Sequence, residues 1–414
     1  MFPVVRKSNI IKTLVLYAAV LSVFVFISAK SAKVLTTSTR DKQLSGTVAG
    51  ARTARPAETD GNLRTVDTPV PQPVIDNEIP VVNGKSLNLE FLIPLTSSHF
   101  NFCRSLYTAL INDYPTPTLI NWGKDSSDPR QSHLMKITGI DEYLHRMRLD
   151  QYALIMDGDD VWYQLPYRDF VSHFLELTEP MGYDIAVFGA DKKCWPNEPL
   201  SPACANIPES TLPINSYGPW TDGRMPILNP SLVFTYNRPR WLNSGSAIGP
   251  VSILREIYHR ANEAIQKVPA DSVLADQKYI ADVYGQRDLN MTVDHKSVLF
   301  QTMTFSDGDI MFVHNDIFQY PRKVPSGRRM LALNKVSATV PPVLHFNGPK
   351  KTMDTWWPQM WWSRERNNQD VIDKSRVVFE TGGAYTVDGQ FLSWNDLCGD
   401  ANIHSPPPWK PENL

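Results

Sequence analysis

Between Tyr152 and Val161 the chain reads YALIM, then Asp157-Gly158-Asp159-Asp160, then Val. A short apolar run of this kind is a strand buried on both faces. Carboxylates cannot follow it into the core unpaired, so Asp157, Asp159 and Asp160 mark where the strand leaves the core. In open α/β sheets, ligands gather just beyond the carboxyl ends of the strands. Clustered carboxylates there suit a hard divalent cation that completes its shell with phosphate oxygens. The plain alternative is an Asp-Gly turn after a strand. Three Asp within four positions favour a site over that turn. A calcium-binding EF-hand loop is excluded, because Val161 stands where its third ligand belongs and no Gly and Glu follow at the required offsets.

Strands and helices alternate around this segment. The run from Leu87 (LNLEFLIPL) predicts a strand, the stretch to Tyr114 a helix, and TPTLINW a second strand. Further helices are expected over Ser132–Arg148, after Pro166, over Val251–Lys267 and over Ser272–Ala281. Strands are expected at Tyr152–Met156 and Asp184–Phe188, with mostly loop from Lys192 to Arg240. The stretch beyond about Met353 reads as Trp-rich and then loop-like. This alternation predicts an α/β protein with a mostly parallel sheet and helices on both faces. With 42% hydrophobic residues and 11 Trp, the 414-residue chain has ample core material. A net charge of -2, with no basic run beyond short pairs, excludes a nucleic-acid-binding surface.

The N-terminus predicts a membrane anchor. Arg6, Lys7 and Lys12 precede an uncharged run from Thr13 to Ala29, which Ile10 and Ile11 extend to about the ~20 residues that cross a bilayer. A cleaved signal peptide is the competing reading. Either one sends the rest of the chain into the secretory pathway. The expected organisation is a cytoplasmic tail (1–12), a transmembrane signal-anchor (13–29), a flexible stem (30–84), a folded domain (85–400) and an extended tail (401–414).

Other constellations offer chemistry more weakly. In PPVLHFNGPKK, His345 ends an apolar run, Asn347-Gly348-Pro349 forms a turn, and Lys350 and Lys351 could neutralise a diphosphate. In WLNSGSAIG (Trp241–Gly249), small residues would let a substrate approach the backbone while Asn243 and Ser244 offer hydrogen bonds; a Gly-containing β-turn is the alternative. An N-cap at Asp271 is expected ahead of Asp276. Cys194 and Cys204 enclose a short loop that a disulfide could close, and Cys103 and Cys398 would then be left to pair across the ends of the domain, although sequence alone does not fix the connectivity. The Trp356-Trp357 and Trp361-Trp362 pairs are read as core packing rather than as platforms for a sugar.

Taken in order, LIMDGDDV (Leu154–Val161), Cys194-Trp195-Pro196, LNSGSAIG (Leu242–Gly249), Asp276-Gln277, VDHKSVLFQ (Val293–Gln301) and HFNGP (His345–Pro349) resemble the glycosyltransferase domain of the procollagen lysyl hydroxylases and related fungal proteins carrying only that domain. The resemblance spans about residues 86 to 360. It implies a GT-A, Rossmann-like fold that binds a UDP-sugar with Mn2+. Asp157 and Asp160 then correspond to the metal-binding carboxylates, and His345 to the third ligand. Trp195, Asn243, Ser244 and Asp276 correspond to catalytic-site positions, and Lys136 to a lysine near the diphosphate. Asp159, Asn347, Gly348 and Lys351 are expected around the donor. Ala275 interrupts the family's acidic run, and Ser246 replaces its second Gly. The HxD motif and distant His of an iron oxygenase are not found here, so lysine hydroxylation is not expected.

The resulting expectation is a type II membrane hexosyltransferase of the Golgi or ER. It would move galactose or glucose from a UDP-sugar to a hydroxyl on a protein or glycan acceptor. A membrane-tethered protein that binds nucleotide-sugar or glycan without turnover is the alternative. A two-metal phosphoesterase is disfavoured, since no second clear ligand set is legible.

Overall fold

The chain runs β1 (Leu89–Pro94), α1 (Phe100–Ile111), β2 (Thr118–Ile120), α2 (Pro129–Leu144), β3 (Tyr152–Met156), β4 (Val161–Tyr163), α3 (Tyr167–Thr178), β5 (Ala186–Asp191), β6 (Trp241–Pro250), α4 (Val251–Ile265), α5 (Asp276–Gln286), β7 (Met291–Val293), β8 (Phe300–Thr302), β9 (Ile310–His314), β10 (Met330–Asn334), β11 (Val343–His345), α6 (Lys351–Trp356), α7 (Gln369–Thr381), β12 (Gly383–Thr386), β13 (Phe391–Ser393) and α8 (Trp394–Cys398). The computed structural model describes residues 81–82, 85–125, 128–219, 221, 234–269, 275–315, 329–348, 350–399 and 401–404. The expected membrane anchor, nearly all of the stem, the expected cap at Asp271 and the end of the tail (405–414) lie outside the described residues. Among the described residues no helix is long and apolar enough to cross a membrane.

The main sheet has eight strands in the order β13-β12-β2-β1-β3-β6-β5-β7. Four of its junctions are parallel (β12/β2, β2/β1, β1/β3, β5/β7), and β6 runs antiparallel to both neighbours at the centre. A smaller sheet, β8-β11-β4, sits beside it. The class is therefore mixed α/β with a mostly parallel large sheet.

Strand β3 shows why the sheet is covered on both faces. Alternate side chains of a strand point to opposite faces. Ala153 and Ile155 enter one core with Ile137 and Ile140 of α2, Ile257 and Tyr258 of α4, and Tyr284 of α5. Leu154 and Met156 enter the other with Leu106 of α1, Phe170 and Phe174 of α3, and Trp162 of β4. Each large apolar side chain so buried contributes about 1.5–3 kcal/mol. Trp357, Trp361 and Trp362 are fully buried in this second core, as the packing reading expects.

Several boundaries differ from the sequence expectation for identifiable reasons. Helix α2 begins three residues early, because Asp128 caps it by accepting from Arg130 N and Pro129 occupies the first turn. The segment Trp241–Pro250 is a strand rather than a turn. Its glycines are there for close approach: a Cβ on Gly249 would lie 2.8 Å from Ala186 Cα in the neighbouring strand. The region after Met353 is not loop-like, for it supplies α7, β12, β13 and α8, and β12 pairs with β2 in the main sheet. Gly383 opens β12 where the partner strand comes close: a Cβ there would meet Leu392 O of β13 at 2.1 Å. Residues 401–404 also pack on the domain: Ile403 is buried, and its carbonyl accepts from Arg104 Nε.

Both expected disulfides are present. Cys103–Cys398 ties α1 to α8, and Cys194–Cys204 closes the short loop, with Cα separations of 5.7 and 5.6 Å.

Candidate active site

The candidate site lies at the carboxyl end of β3, where the main sheet meets β4 and β11. Asp157 leaves β3 with its amide donating to Gly245 O of β6. Asp160 is held by Phe346 N, which donates to its carbonyl, and His345 pairs in register with Val161 of β4. Residues 188 apart in sequence are thereby brought together: His345 Nε2 lies 3.7 Å from Asp157 Oδ2 and 3.5 Å from Asp160 Oδ1. The three donor atoms all fall within 4.8 Å of one another.

Strand β6 shapes this cradle through an irregularity. Its pairing with β5 jumps between Phe188 and Gly189, from Ala247 to Asn243, so Ser244, Gly245 and Ser246 bulge out of register. Gly245 is required there, because a Cβ would stand 2.2 Å from His345 Cε1 and 2.5 Å from Asp157 Oδ2. The bulge also turns Ser244 Oγ toward Asp276, to which it donates at 2.9 Å. Asn243 donates to Asp191 and Gln277, and Gln277 Nε2 donates to the Trp195 carbonyl at 2.6 Å. The Trp195 side chain is exposed.

Two lysines face the carboxylates. Lys136 of α2 places Nζ 2.7 Å from Asp157 Oδ1 and 2.7 Å from Asp276 Oδ2. Burial works against its charge, but Asp157 and Asp276 outweigh burial and hold its pKa above the ordinary lysine value. Asp276 is also buried, and its ion pairs with Lys136 and His133 hold its carboxyl well below the usual range. Lys350 pairs with Asp160 and donates to Phe346 O. Burial opposes the Asp160 charge too, and His345 and Lys350 together keep its pKa low. The same carboxylates raise the pKa of His345 against the burial that would lower it. His345 Nδ1 has no hydrogen-bond partner, so packing and the two carboxylates at Nε2 orient the ring.

These groups open on a cleft of about 450 Å³ lined by Leu95, His99, Lys136, Asp157, Asp159, Asp160, Asp276 and Lys350, among others. Asp159 is exposed and pairs with His99 Nε2 at 2.7 Å. A second cavity of about 410 Å³ is lined in part by Thr304, Phe305, Phe346, Asn347 and Thr352. Asn347 borders that second cavity rather than the first, accepting at Oδ1 from Met303 N and Thr304 N and donating through Nδ2 to Asp191. Gly348 is exposed and adopts a positive φ of 129° in the same turn.

The structure thus gathers Asp157, Asp160, His345, Lys136, Asp276 and Ser244, with Asn243 behind them. It differs at Lys351, which opens α6 as an exposed residue outside the lining of either cavity, while its neighbour Lys350 reaches Asp160. One turn of backbone decides which of two adjacent lysines faces the site, and sequence spacing does not carry that information.

Sequence reading also missed Asp191. It ends β5 as Asp157 follows β3, and it is buried between the Asn243 and Asn347 amides. Burial raises its pKa despite those hydrogen bonds. A carboxylate at the end of an apolar strand was the available signal. The adjacent Lys192 is not a site residue: it is buried in an ion pair with Asp309.

The sequence matches no protein-family model and no curated protein. Among solved structures, one match is the crystal structure of a glycosyltransferase involved in the glycosylation of the major capsid of PBCV-1. It shares 11% identity, covers 64% of this chain and 95% of that one, and has a TM-score of 0.37.

Proposed function

We propose that this chain is a GT-A glycosyltransferase that moves a hexose from a UDP-sugar to a hydroxyl acceptor with the help of Mn2+. The observation that carries the proposal is the convergence of Asp157, Asp160 and the buried His345, from distant parts of the chain, with both carboxylates lining a cleft that also presents Lys136 and Lys350. Two carboxylates and one imidazole suit Mn2+, and the cradle they form exists only because Gly245 lacks a Cβ. When bound, Mn2+ would serve as a Lewis acid on the diphosphate oxygens.

The remaining chemistry belongs to side chains. Breaking the glycosidic bond leaves negative charge on the UDP oxygens, which preorganised cations stabilise. Lys136 stays an ammonium because two carboxylates surround it, and it lies in the cleft lining beside Asp157. Lys350 adds a second cation beside Asp160. Asp276 is tied up by Lys136, His133 and Ser244 and is weakly basic, so it acts as a positioning residue for Lys136 rather than as the base that takes the acceptor proton. The second cavity, bordered by the Asn347 turn, is the space we assign to an acceptor; Trp195, whose carbonyl accepts from Gln277, lines neither cavity and offers an exposed ring.

The reading extends to location: a signal-anchor at 13–29, a stem at 30–84 and a luminal domain in the Golgi or ER. Two disulfides support an oxidising compartment. The resemblance to the procollagen lysyl hydroxylase domain motivates galactose or glucose as the sugar.

The test is UDP release by the full-length chain across a panel of UDP-sugars, with Mn2+ and with EDTA. Turnover of one donor, lost on chelation and in Asp157→Ala and His345→Ala, is expected. Tight UDP binding without release from any donor, with or without added hydroxyl acceptors, would replace the transferase with a nucleotide-sugar-binding protein.

A further inference from the structure

We infer that Asp141, His145 and His259 form a second divalent-cation site, suited to Zn2+, between α2 and α4. The cluster is separate from the Asp157 site. His145 lies nine residues beyond Lys136, about 13 Å along the α2 axis at 1.5 Å per residue.

Two helices supply it in the same way. Asp141 and His145 stand four apart at the end of α2, and His259 and Glu263 stand four apart on α4, so each pair shares a helix face. One possible donor atom from each of Asp141, His145 and His259 lies within 4.8 Å of the others. His145 Nδ1 is 3.2 Å from Asp141 Oδ1, His259 Nδ1 is 3.5 Å from Asp141 Oδ2, and the two rings are 5.5 Å apart. Glu263 Oε1 lies 3.9 Å from His259 Nε2, the ring nitrogen turned away from Asp141, and orients that ring from behind.

Asp141 is what distinguishes this cluster from surface histidines. It is only 5% exposed, and its buried Oδ1, in ion-pair range of His145 Nδ1 at 3.2 Å, accepts no hydrogen bond. A buried carboxylate oxygen in that condition is costly, and a cation would offset the cost. The other oxygen is fixed from behind: Asn262 Nδ2 donates to Oδ2 at 2.8 Å, and Thr138 Oγ1 donates to Asn262 Oδ1 at 3.0 Å. Outer partners of this kind hold metal-binding carboxylates in place. His145 Nδ1 also lies 2.8 Å from its own helix's Asp141 carbonyl. A carbonyl only accepts, so Nδ1 donates in that contact, which orients the ring and leaves Nε2 as the nitrogen a cation would take. Both imidazoles are about half exposed, which leaves a path for a cation and an open position for water. Two imidazoles with one carboxylate and a water form a donor set that suits Zn2+.

The experiment is zinc binding to the full-length chain, stripped with chelator and titrated with ZnCl2 by calorimetry, with bound metal counted by mass spectrometry. His145→Ala and His259→Ala are the variants, chosen because their side chains are exposed enough to leave the fold intact, which a melting curve checks. The expected result is one fewer Zn2+ per chain in each variant than in the wild type. Asp157→Asn should remove a different equivalent, so that a double variant loses both. Equal stoichiometry and affinity in the wild type and in both histidine variants would overturn the site. That result would leave the UDP-release test of the Asp157 cluster untouched.

Discussion

The two His-and-carboxylate clusters of this protein are built on opposite plans. The Asp157–Asp160–His345 cluster draws on strand ends and on a bulge in β6, and its imidazole is buried. The Asp141–His145–His259 cluster stands on two helix faces, with one buried carboxylate and two half-exposed rings. Asp157 and His345 stand at the ends of strands paired on both sides, which resist shifting to suit a ligand, so the first cluster is preorganised. Two exposed imidazoles on helices can turn to meet one. The difference points to chemistry at the strand ends and to cross-linking of the scaffold at the helices.

The largest predicted effect tests that division. Asp160→Asn and His345→Ala should each lower UDP release by about 10²- to 10³-fold, the usual loss when a preorganised electrostatic element is removed. His145→Ala, at the other cluster, should leave the rate within about twofold. A comparable loss in His145→Ala would erase the contrast.

Gly245→Ala sharpens the same point without touching a ligand. The new Cβ would meet His345 Cε1 and Asp157 Oδ2 inside van der Waals contact. Overpacking of this kind costs about 1–3 kcal/mol of stability, to be read from a urea midpoint, and activity should fall with it. Ala at a residue serving only as a turn would be neutral.

How much of this was legible in the sequence follows from the same contrast. The strand YALIM and its three carboxylates sit together in the chain, so the end of β3 could be read directly. His345 joins through strand pairing, which spacing does not encode, and it became a strong candidate only through the family resemblance. The bulge in β6 was illegible because Gly and Ser in a short segment signal a turn as well as close backbone approach. The choice of Lys350 over Lys351 depends on where α6 begins. The helix cluster was invisible because His259 lies 114 residues from His145 and each looks like an ordinary surface residue.

Lys136 provides the next prediction. Lys136→Met removes the cation between Asp157 and Asp276 and leaves both carboxylates facing each other's charge. UDP release should fall by about 10²-fold, with little change in the Mn2+ concentration needed for half-maximal rate. Lys351→Ala, on the exposed start of α6, should be silent; if it matches Lys350→Ala, the structural choice between the two lysines fails.

The smallest effect concerns pH and rests on two histidines outside both clusters. His295 and His404 are held to pKa values of about 4, chiefly by burial and then by nearby arginines. A group whose folded pKa is depressed contributes stability that is present above its unfolded pKa, ~6.5, and is lost as pH falls toward the folded value. The contribution of these two histidines should therefore decline between about pH 6.5 and 4, by at most ~1.4 kcal/mol per pH unit for each, and by less for the partly exposed His404. His345 has the opposite shift, so its contribution is already complete below pH 6.5 and stays flat in this window. Asp160 and Asp276, with depressed carboxyls, begin to lose theirs only as pH approaches the ordinary carboxylate value. Urea midpoints measured across the window for wild type, His295→Gln and His404→Gln should show shallower declines in the two variants. Slopes in both variants equal to that of the wild type would mean that neither histidine carries the pH dependence.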